Sequence, residues 1–185
     1  MAIDKNNLPG CDGEHNLQTR YGTGEKAQGF YEREVYTYIT QQMKEYIAKQ
    51  KMMFIATADK HGECDSSFRS AKKDFVFVLD KQRVVYPEFN GNGVMASLGN
   101  ISENPHIGLL FVDFFENQVG LHINGKAHFL DEGNLRNSFS EDESTRIVNF
   151  GKTLELEVVT WVVVEVEEAY IHCSKHIPLL SEIDS

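Results

Sequence analysis

Apolar and polar positions alternate along much of the chain in the manner of short strands joined by tight turns. Residues 52–58 (MMFIATA) form a brief apolar run that ends at the turn 59–62 (DKHG), which favours a buried strand. The return segment 65–70 alternates, with Ser67 and Arg69 on one face and the aromatic and serine neighbours on the other. These segments predict a β-hairpin with one polar face.

The same analysis predicts the other elements of the chain. Strands are expected at 75–79, 83–86, 106–114, 119–130 and 154–170, helices at 32–49 and 92–103, and one or two short helices within 131–150. Six or so strands in hairpin succession, flanked by helices, predict a mainly β (α+β) fold built on a closed antiparallel barrel.

The first 30 residues differ in composition from the rest of the chain. Residues 1–30 are rich in Gly, Asn, Asp and Lys with scattered apolar positions, so we expect an N-terminal arm that is mobile or becomes ordered only on another surface. No internal point divides the remainder. Residues 31–185 are therefore predicted to form a single domain.

Charge and composition exclude several classes of protein. The net charge of -10 disfavours nucleic acid and anionic membranes as partners. Apolar runs are shorter than the roughly 18 residues that a spanning helix needs, and the N-terminus lacks the features of a signal peptide, so a cytoplasmic location is expected. Three widely separated cysteines indicate reduced thiols in that compartment.

Two segments carry candidate anion-binding groups. Ser67 and Arg69 could present a hydroxyl and a guanidinium to one phosphate; a polar strand edge facing solvent is the alternative. Lys72 and Lys73 could add charge, or could be solvated lysines of a turn. Residues 90–93 (NGNG) precede a predicted helix, so backbone N–H groups and the helix start could also favour an anion. An ordinary Asn-Gly turn is the alternative for this loop.

The predicted helix at 92–103 adds two polar side chains near this loop. Ser97 and Asn100 lie on a flank of the helix away from its apolar positions, where plain solvent exposure is the alternative. Near the C-terminus, His172, Cys173 and His176 could ligate a metal, but the paired spacing of a zinc site is absent and no metal is predicted. A hydrogen-bonded terminal segment is expected there, or else a contact to a cofactor.

No motif marks nucleophilic catalysis, a P-loop or a dinucleotide-binding unit. However, four segments in order resemble the FMN-binding split-barrel superfamily that includes pyridoxamine 5'-phosphate oxidase. They are FIATADKHG at 54–62, YP at 86–87 with GN at 91–92, SLGNISENPHIGLLF at 97–111, and INGKA at 123–127. The resemblance covers roughly residues 35–175.

This resemblance implies a six-stranded Greek-key split barrel and a homodimer that holds FMN at its interface. By position, Ser67, Arg69 and Lys72 would lie near the FMN phosphate. The rest of the cleft would be lined by Tyr86, Asn90, Asn92, Ser97 and the neighbouring Asn100.

Two differences from the authentic oxidases argue against oxidation of the vitamin substrate as the activity of this chain. Those enzymes have an arginine where Ser67 aligns, and they end in a Trp- and Arg-containing segment that this chain replaces with IPLLS at 177–181. The general-stress-protein-like branch is the closer match. The resemblance therefore implies an FMN-dependent oxidoreductase acting on an unidentified small molecule; the alternatives are a non-enzymatic flavin-binding or sensing module, or a binder of haem or a deazaflavin.

Overall fold

The computed structural model describes residues 8–71, 75–154, 156–172 and 175–181. The chain divides into two compact units, Met1–Tyr36 and Thr37–Ser185. The first unit contains α1 (Asp12–Tyr21) and α2 (Gly24–Glu34).

A tyrosine of α2 forms hydrogen bonds with two side chains of α1. Gln18 of α1 donates a hydrogen bond to the Tyr31 hydroxyl of α2 at 2.7 Å, and that hydroxyl donates to the Glu14 carboxylate at 3.3 Å. Gly22, with φ of 67°, ends α1 in the left-handed conformation that glycine adopts readily. Helices α1 and α2 thus occupy the segment for which an arm was expected, and α2 runs across residue 30. That this segment is mobile, or becomes ordered only on another surface, stays a prediction.

The helix predicted at 32–49 is interrupted. Helix α2 ends at Glu34, and α3 (Gln41–Ile47) begins after Thr40, whose hydroxyl accepts a hydrogen bond from the Met43 N–H at 3.2 Å. Residues 35–40 (VYTYIT) are β-branched or aromatic, which lowers their helix propensity. The apolar spacing continues across the interruption and therefore suggested one helix where there are two.

A single antiparallel sheet forms the second unit. Its strands are β1 (Met52–Ala58), β2 (Cys64–Ser70), β3 (Phe77–Val78), β4 (Arg83–Glu88), β5 (His106–Val112), β6 (Gly120–Leu130) and β7 (Thr160–His172). Their order is β2-β1-β5-β6-β7-β4-β3. The α+β antiparallel fold is confirmed, with seven strands in place of the six that the resemblance implied.

The sheet curls until its two sides meet. Strands β2 and β4 are separated by β1, β5, β6 and β7 in the sheet order, yet Arg69 of β2 lies 2.8 Å from the Glu88 carboxylate of β4. We call the line along which β2 faces β4 the seam. Side chains hold the seam together where backbone hydrogen bonds hold the rest of the sheet.

Besides α3, the described part of this unit contains α4 (Ala96–Glu103), α5 (Glu132–Ser138) and α6 (Glu141–Gly151). Helices α5 and α6 bury Leu135 and Ile147 against Trp161 and Val163 of β7. Both faces of β7 are therefore buried near its start. The strand predicted at 154–170 begins only at Thr160. Of the apolar residues before it, Leu154 and Val158 pack against this cluster and Leu156 is exposed.

Strand β6 contains an irregularity where it passes β7. The pairing register between them shifts at Asn124/Gly125, and a Cβ atom at Gly125 would collide with the carbonyl oxygen of Glu165. Glycine is therefore required by the close approach of two backbones. Of the helices in the described part of the chain, none combines the length and apolarity needed to cross a bilayer.

Candidate functional site

The predicted polar face of β2 lies on the inner side of the curled sheet. Ser67 pairs with Ile55 of β1 and Arg69 pairs with Met53, and both of these β1 side chains are buried. Neighbours directly opposite in a sheet share a face, so Ser67 and Arg69 point in the same direction as this core. The alternative of a solvent-facing strand edge does not apply to them.

Arg69 makes a forked ion pair with Glu88. Its Nε lies 3.0 and 3.1 Å from the two carboxylate oxygens, and its Nη2 lies 2.8 Å from Oε1. Nη1 donates to the Phe68 carbonyl at 3.0 Å. The Glu88 side chain is 7% exposed and that of Arg69 is 22% exposed. The carboxylate is thus almost fully removed from water, and among the described residues its charge partner is this guanidinium.

Hydroxyl groups extend the ion pair into a network. Arg69 Nη2 donates to the Ser97 hydroxyl at 3.4 Å, Ser97 donates to Ser67 at 3.3 Å, and Ser67 donates to the Asp65 carboxylate at 2.8 Å. We call Asp65, Ser67, Arg69, Glu88 and Ser97 the Arg69 cluster. Ser97 enters it from the first turn of α4, whose N-terminal end carries a partial positive charge.

Tyr86 adds a hydroxyl beside this cluster. It lies two residues before Glu88 on β4 and therefore points to the same side of the strand. The side chain is fully buried, and its hydroxyl finds no hydrogen-bond partner within the described ranges. Burial raises the pKa of Tyr86 far above its ordinary value; the Glu88 charge adds to the rise and the Arg69 charge opposes it. The Tyr86 hydroxyl is therefore neutral, and it donates its hydrogen to none of the described residues.

Several predicted residues lie apart from this network or have structural partners. Asn100 donates to the Thr57 hydroxyl at 3.0 Å and so ties α4 to β1. Asn90 and Asn92 are exposed, and their loop bonds internally: the Gly93 N–H donates to the Asn90 carbonyl at 2.9 Å, and the Asn92 side chain accepts from the Val94 N–H at 3.0 Å. Lys72 lies outside the described residues.

These contacts match the turn alternative for the loop more closely than an anion cradle, since two of its N–H donors are already used. Ser97 is the opposite case, because it is only 3% exposed and plain solvent exposure is wrong for it. Sequence reasoning missed Glu88 and Asp65. The signal for Glu88 was its two-residue spacing from Tyr86, which puts a carboxylate on the inner face of a strand, where a cationic partner is needed.

A second polar group lies on β6 and β7, where His122 stacks on Tyr170 with ring centroids 4.6 Å apart. The ring of His172 is 4.9 Å from that of His122. Burial lowers the pKa of His122, and the neighbouring His172 lowers it further. His176 is exposed, and Cys173 lies outside the described residues. Over the ranges that the structure describes, no three His, Cys, Asp or Glu side chains are grouped to hold a metal ion.

A cavity of about 610 Å³ lies between α3 and the loop joining β5 to β6. Two of its polar groups are already engaged. The Tyr46 hydroxyl donates to the Val119 carbonyl at 2.7 Å, and the Asp113 carboxylate accepts from the N–H groups of residues 115–117, each at 2.9 Å. None of the predicted site residues that the structure describes lines this cavity.

Comparison with known proteins gives one family and a set of similar folds. HupZ from Group A Streptococcus is 22% identical, with a TM-score of 0.53 over 77% of this chain and 99% of that chain. The heme storage protein HutZ from Vibrio cholerae is 15% identical (TM-score 0.48; 73% and 94% covered). General Stress Protein 26 from Bacillus anthracis is 14% identical (TM-score 0.43; 69% and 89% covered). No curated protein matches the chain.

The likeness to HupZ shows the fold, and the sequence itself shows the family. The model described as Pyridoxamine 5'-phosphate oxidase matches residues 39–173, which is well over half of the chain and includes every strand and the whole Arg69 cluster. The resemblance carried by residues 54–127 is thereby confirmed. This chain belongs to the pyridoxamine 5'-phosphate oxidase family.

Proposed function

We propose that this chain binds FMN at the Arg69 cluster and acts as an FMN-dependent oxidoreductase on a small molecule. The supporting observation is that Ser67 and Arg69 of β2 meet Ser97 of α4 in one hydrogen-bonded network, with the unpartnered Tyr86 hydroxyl close by. These residues come from separate elements, and their convergence on an inner face of the sheet is typical of a binding site. Membership of the family supports a flavin as the ligand.

The residues present offer several hydrogen-bonding groups to a flavin, but their charges favour its phosphate less. Hydroxyls of Ser67, Ser97 and Tyr86 and the guanidinium of Arg69 would hold the polar chain and phosphate of FMN. A bound flavin supplies hydride or electron transfer, whereas the protein supplies position and electrostatic environment. The Glu88 carboxylate already occupies the Nε and Nη2 edge of Arg69, so phosphate and carboxylate would share one cation.

The direct test is the absorption spectrum of the purified protein followed by titration with FMN. We expect flavin bands in the spectrum, or else saturable binding that raises the melting temperature; at 100 times Kd the stabilisation is about 2.7 kcal/mol. Arg69→Gln should weaken binding, whereas Arg136→Gln, which changes an exposed arginine of α5, should not. A colourless protein that neither binds FMN nor gains stability from it would contradict the proposal.

Enzymatic activity needs its own experiment. The FMN-loaded protein can be reduced chemically or by light and then mixed with oxygen and with common electron acceptors. Rapid turnover with one acceptor supports the oxidoreductase. Reoxidation no faster than that of free flavin with every acceptor would instead indicate a flavin-binding or sensing module.

Haem is the second candidate, and the pair His122 and His172 favours it. Neutral imidazole is the form that ligates iron, and burial beside His172 favours that form in His122. Extraction of the cofactor followed by mass analysis separates flavin, deazaflavin and haem. If FMN binds at the Arg69 cluster, His122→Ala leaves FMN affinity unchanged; if haem is the ligand, the same change weakens haem binding.

We also propose that the chain forms a homodimer with the cofactor at its interface, as the resemblance implies. Phe54 and Phe68 support an interface, because they lie side by side on the outer face of the sheet with ring centroids 5.4 Å apart while remaining 37% and 50% exposed. Exposed aromatic pairs are enriched at protein interfaces. Sedimentation should give twice the chain mass, and Phe68→Asp should shift the protein towards the monomer.

A further inference from the structure

We propose that Glu88 is a specificity-determining residue that weakens the hold of the Arg69 cluster on a ligand phosphate. The site would then accept a flavin with an uncharged side chain almost as well as the phosphorylated form. This inference rests on the proposed function, because it concerns which flavin the same site prefers.

The described residues of the Arg69 cluster carry more negative than positive charge. Asp65 and Glu88 each contribute one negative charge and Arg69 contributes one positive charge, so the described groups sum to one negative charge. A phosphate monoester adds about 1.5 to 2 further negative charges near neutral pH. Like charges at short range inside a protein repel strongly because the surroundings screen them poorly. The five described residues of the Arg69 cluster, taken together, therefore oppose a phosphate.

The guanidinium nitrogens of Arg69 already donate hydrogen bonds within the protein. Arginine holds a phosphate most strongly through two parallel N–H groups, and the Nε and Nη2 pair of Arg69 already grips Glu88 in this manner. Nη1 points to the Phe68 carbonyl. A phosphate that bound the Nε and Nη2 pair would leave the Glu88 carboxylate buried without a cationic partner among the described residues, and that is strongly unfavourable.

Three uncharged hydroxyl groups lie in or beside the Arg69 cluster. The Tyr86 hydroxyl is buried without a partner among the described residues and carries no charge. Ser67 and Ser97 are likewise uncharged, and each can both donate and accept a hydrogen bond. Such groups suit the hydroxyls of a ribityl chain, whose binding leaves the Arg69–Glu88 pair in place.

The experiment compares the dissociation constants of FMN and riboflavin, which differ only in the phosphate, by fluorescence titration or calorimetry. For the native protein we expect the two constants to lie within about tenfold of each other. Glu88→Gln should tighten FMN binding by at least about tenfold, which corresponds to about 1.4 kcal/mol, and should change riboflavin binding by less than about threefold. The ratio of the two constants cancels any general change in the fold.

Two controls make the effect specific. Glu132→Gln removes the same charge from the exposed surface of α5 and should leave the ratio unchanged. In the background of Arg69→Gln, the gain from Glu88→Gln should disappear, since there is no guanidinium left to release. A gain that persists in that background would overturn the role assigned to the ion pair.

The outcomes separate the two proposals. If the native protein already prefers FMN over riboflavin by more than about a hundredfold, the role of Glu88 is wrong while FMN binding stands; this measurement decides even if Glu88→Gln does not fold. An unchanged ratio in folded Glu88→Gln also overturns it. If neither flavin binds native protein or variant, the proposed function fails and this inference fails with it.

Discussion

Adding one methyl group to Gly125 should destabilise the protein, and the structure gives the reason. In Gly125→Ala the new Cβ collides with the carbonyl oxygen of Glu165 and approaches the Cα of Val166 to 3.3 Å. Both are backbone atoms, so no side-chain rotation relieves the contact. The φ angle of Gly125 lies outside the left-handed region, and the cost is therefore steric.

The size of the effect follows from two opposing terms. Overpacking typically costs about 1 to 3 kcal/mol, and a contact this short against backbone belongs in the upper part of that range. Replacing glycine with alanine in a regular element returns about 0.5 to 1 kcal/mol. We expect a net loss of about 2 kcal/mol, equivalent to a fall of about 4 to 8 °C in melting temperature for a chain of this length.

Gly99 provides a matched control with the opposite sign. It lies inside α4, a Cβ there meets nothing within 4 Å, and the change adds the same methyl group. Gly99→Ala should stabilise the protein by about 0.5 to 1 kcal/mol through helix propensity. Equilibrium urea unfolding measures both variants against native protein. A midpoint for Gly125→Ala equal to or above that of the native protein would refute the steric reasoning.

Three further predictions concern the core, the loop after β5 and the site. Leu135→Ala should cost about 2 to 5 kcal/mol in urea unfolding because Leu135 is fully buried, whereas exposed Leu156→Ala should cost under about 0.5 kcal/mol. Burial raises the pKa of Asp113, but its hydrogen bonds outweigh that effect and hold the pKa below the ordinary value. Its stabilisation is therefore present at neutral pH and lost below about pH 4, so Asp113→Asn should be less stable at pH 7 and show a smaller loss of stability on acidification. Tyr86→Phe should match or exceed native stability without ligand, by up to about 1 kcal/mol in thermal unfolding, because it removes an unsatisfied buried hydroxyl.

The strands could be predicted from sequence where only one face of the sheet is buried, because apolar and polar residues then alternate. On β2 the alternation placed Ser67 and Arg69 on one face, and the structure confirms that placement. On β7 the same reasoning failed at the start of the strand, because α5 and α6 bury the second face there and remove the alternation. The apolar periodicity also predicted one helix in place of α2 and α3, because it carries no information about the N-cap at Thr40.

The sequence predicted three residues of the Arg69 cluster, Ser67, Arg69 and Ser97, but neither of its carboxylates, Asp65 and Glu88. Arg69 was expected to face a phosphate, and Glu88 was absent from that expectation. The two residues are 19 positions apart and lie on strands separated by four others, so only the curl of the sheet brings them together. Local patterns cannot report a contact that depends on the closure of the whole sheet.

The seam has a consequence for how the protein opens. Strand β2 pairs only with β1, whereas β5, β6 and β7 each have backbone partners on both sides. Local opening follows the line with the fewest backbone hydrogen bonds, so the separation of β2 from β4 requires less free energy than exposure of the central strands. If a small molecule binds at the Arg69 cluster as proposed, its entry requires this same separation of β2 from β4. Under that proposal, local opening of the fold and entry of the ligand would both break the Arg69–Glu88 ion pair.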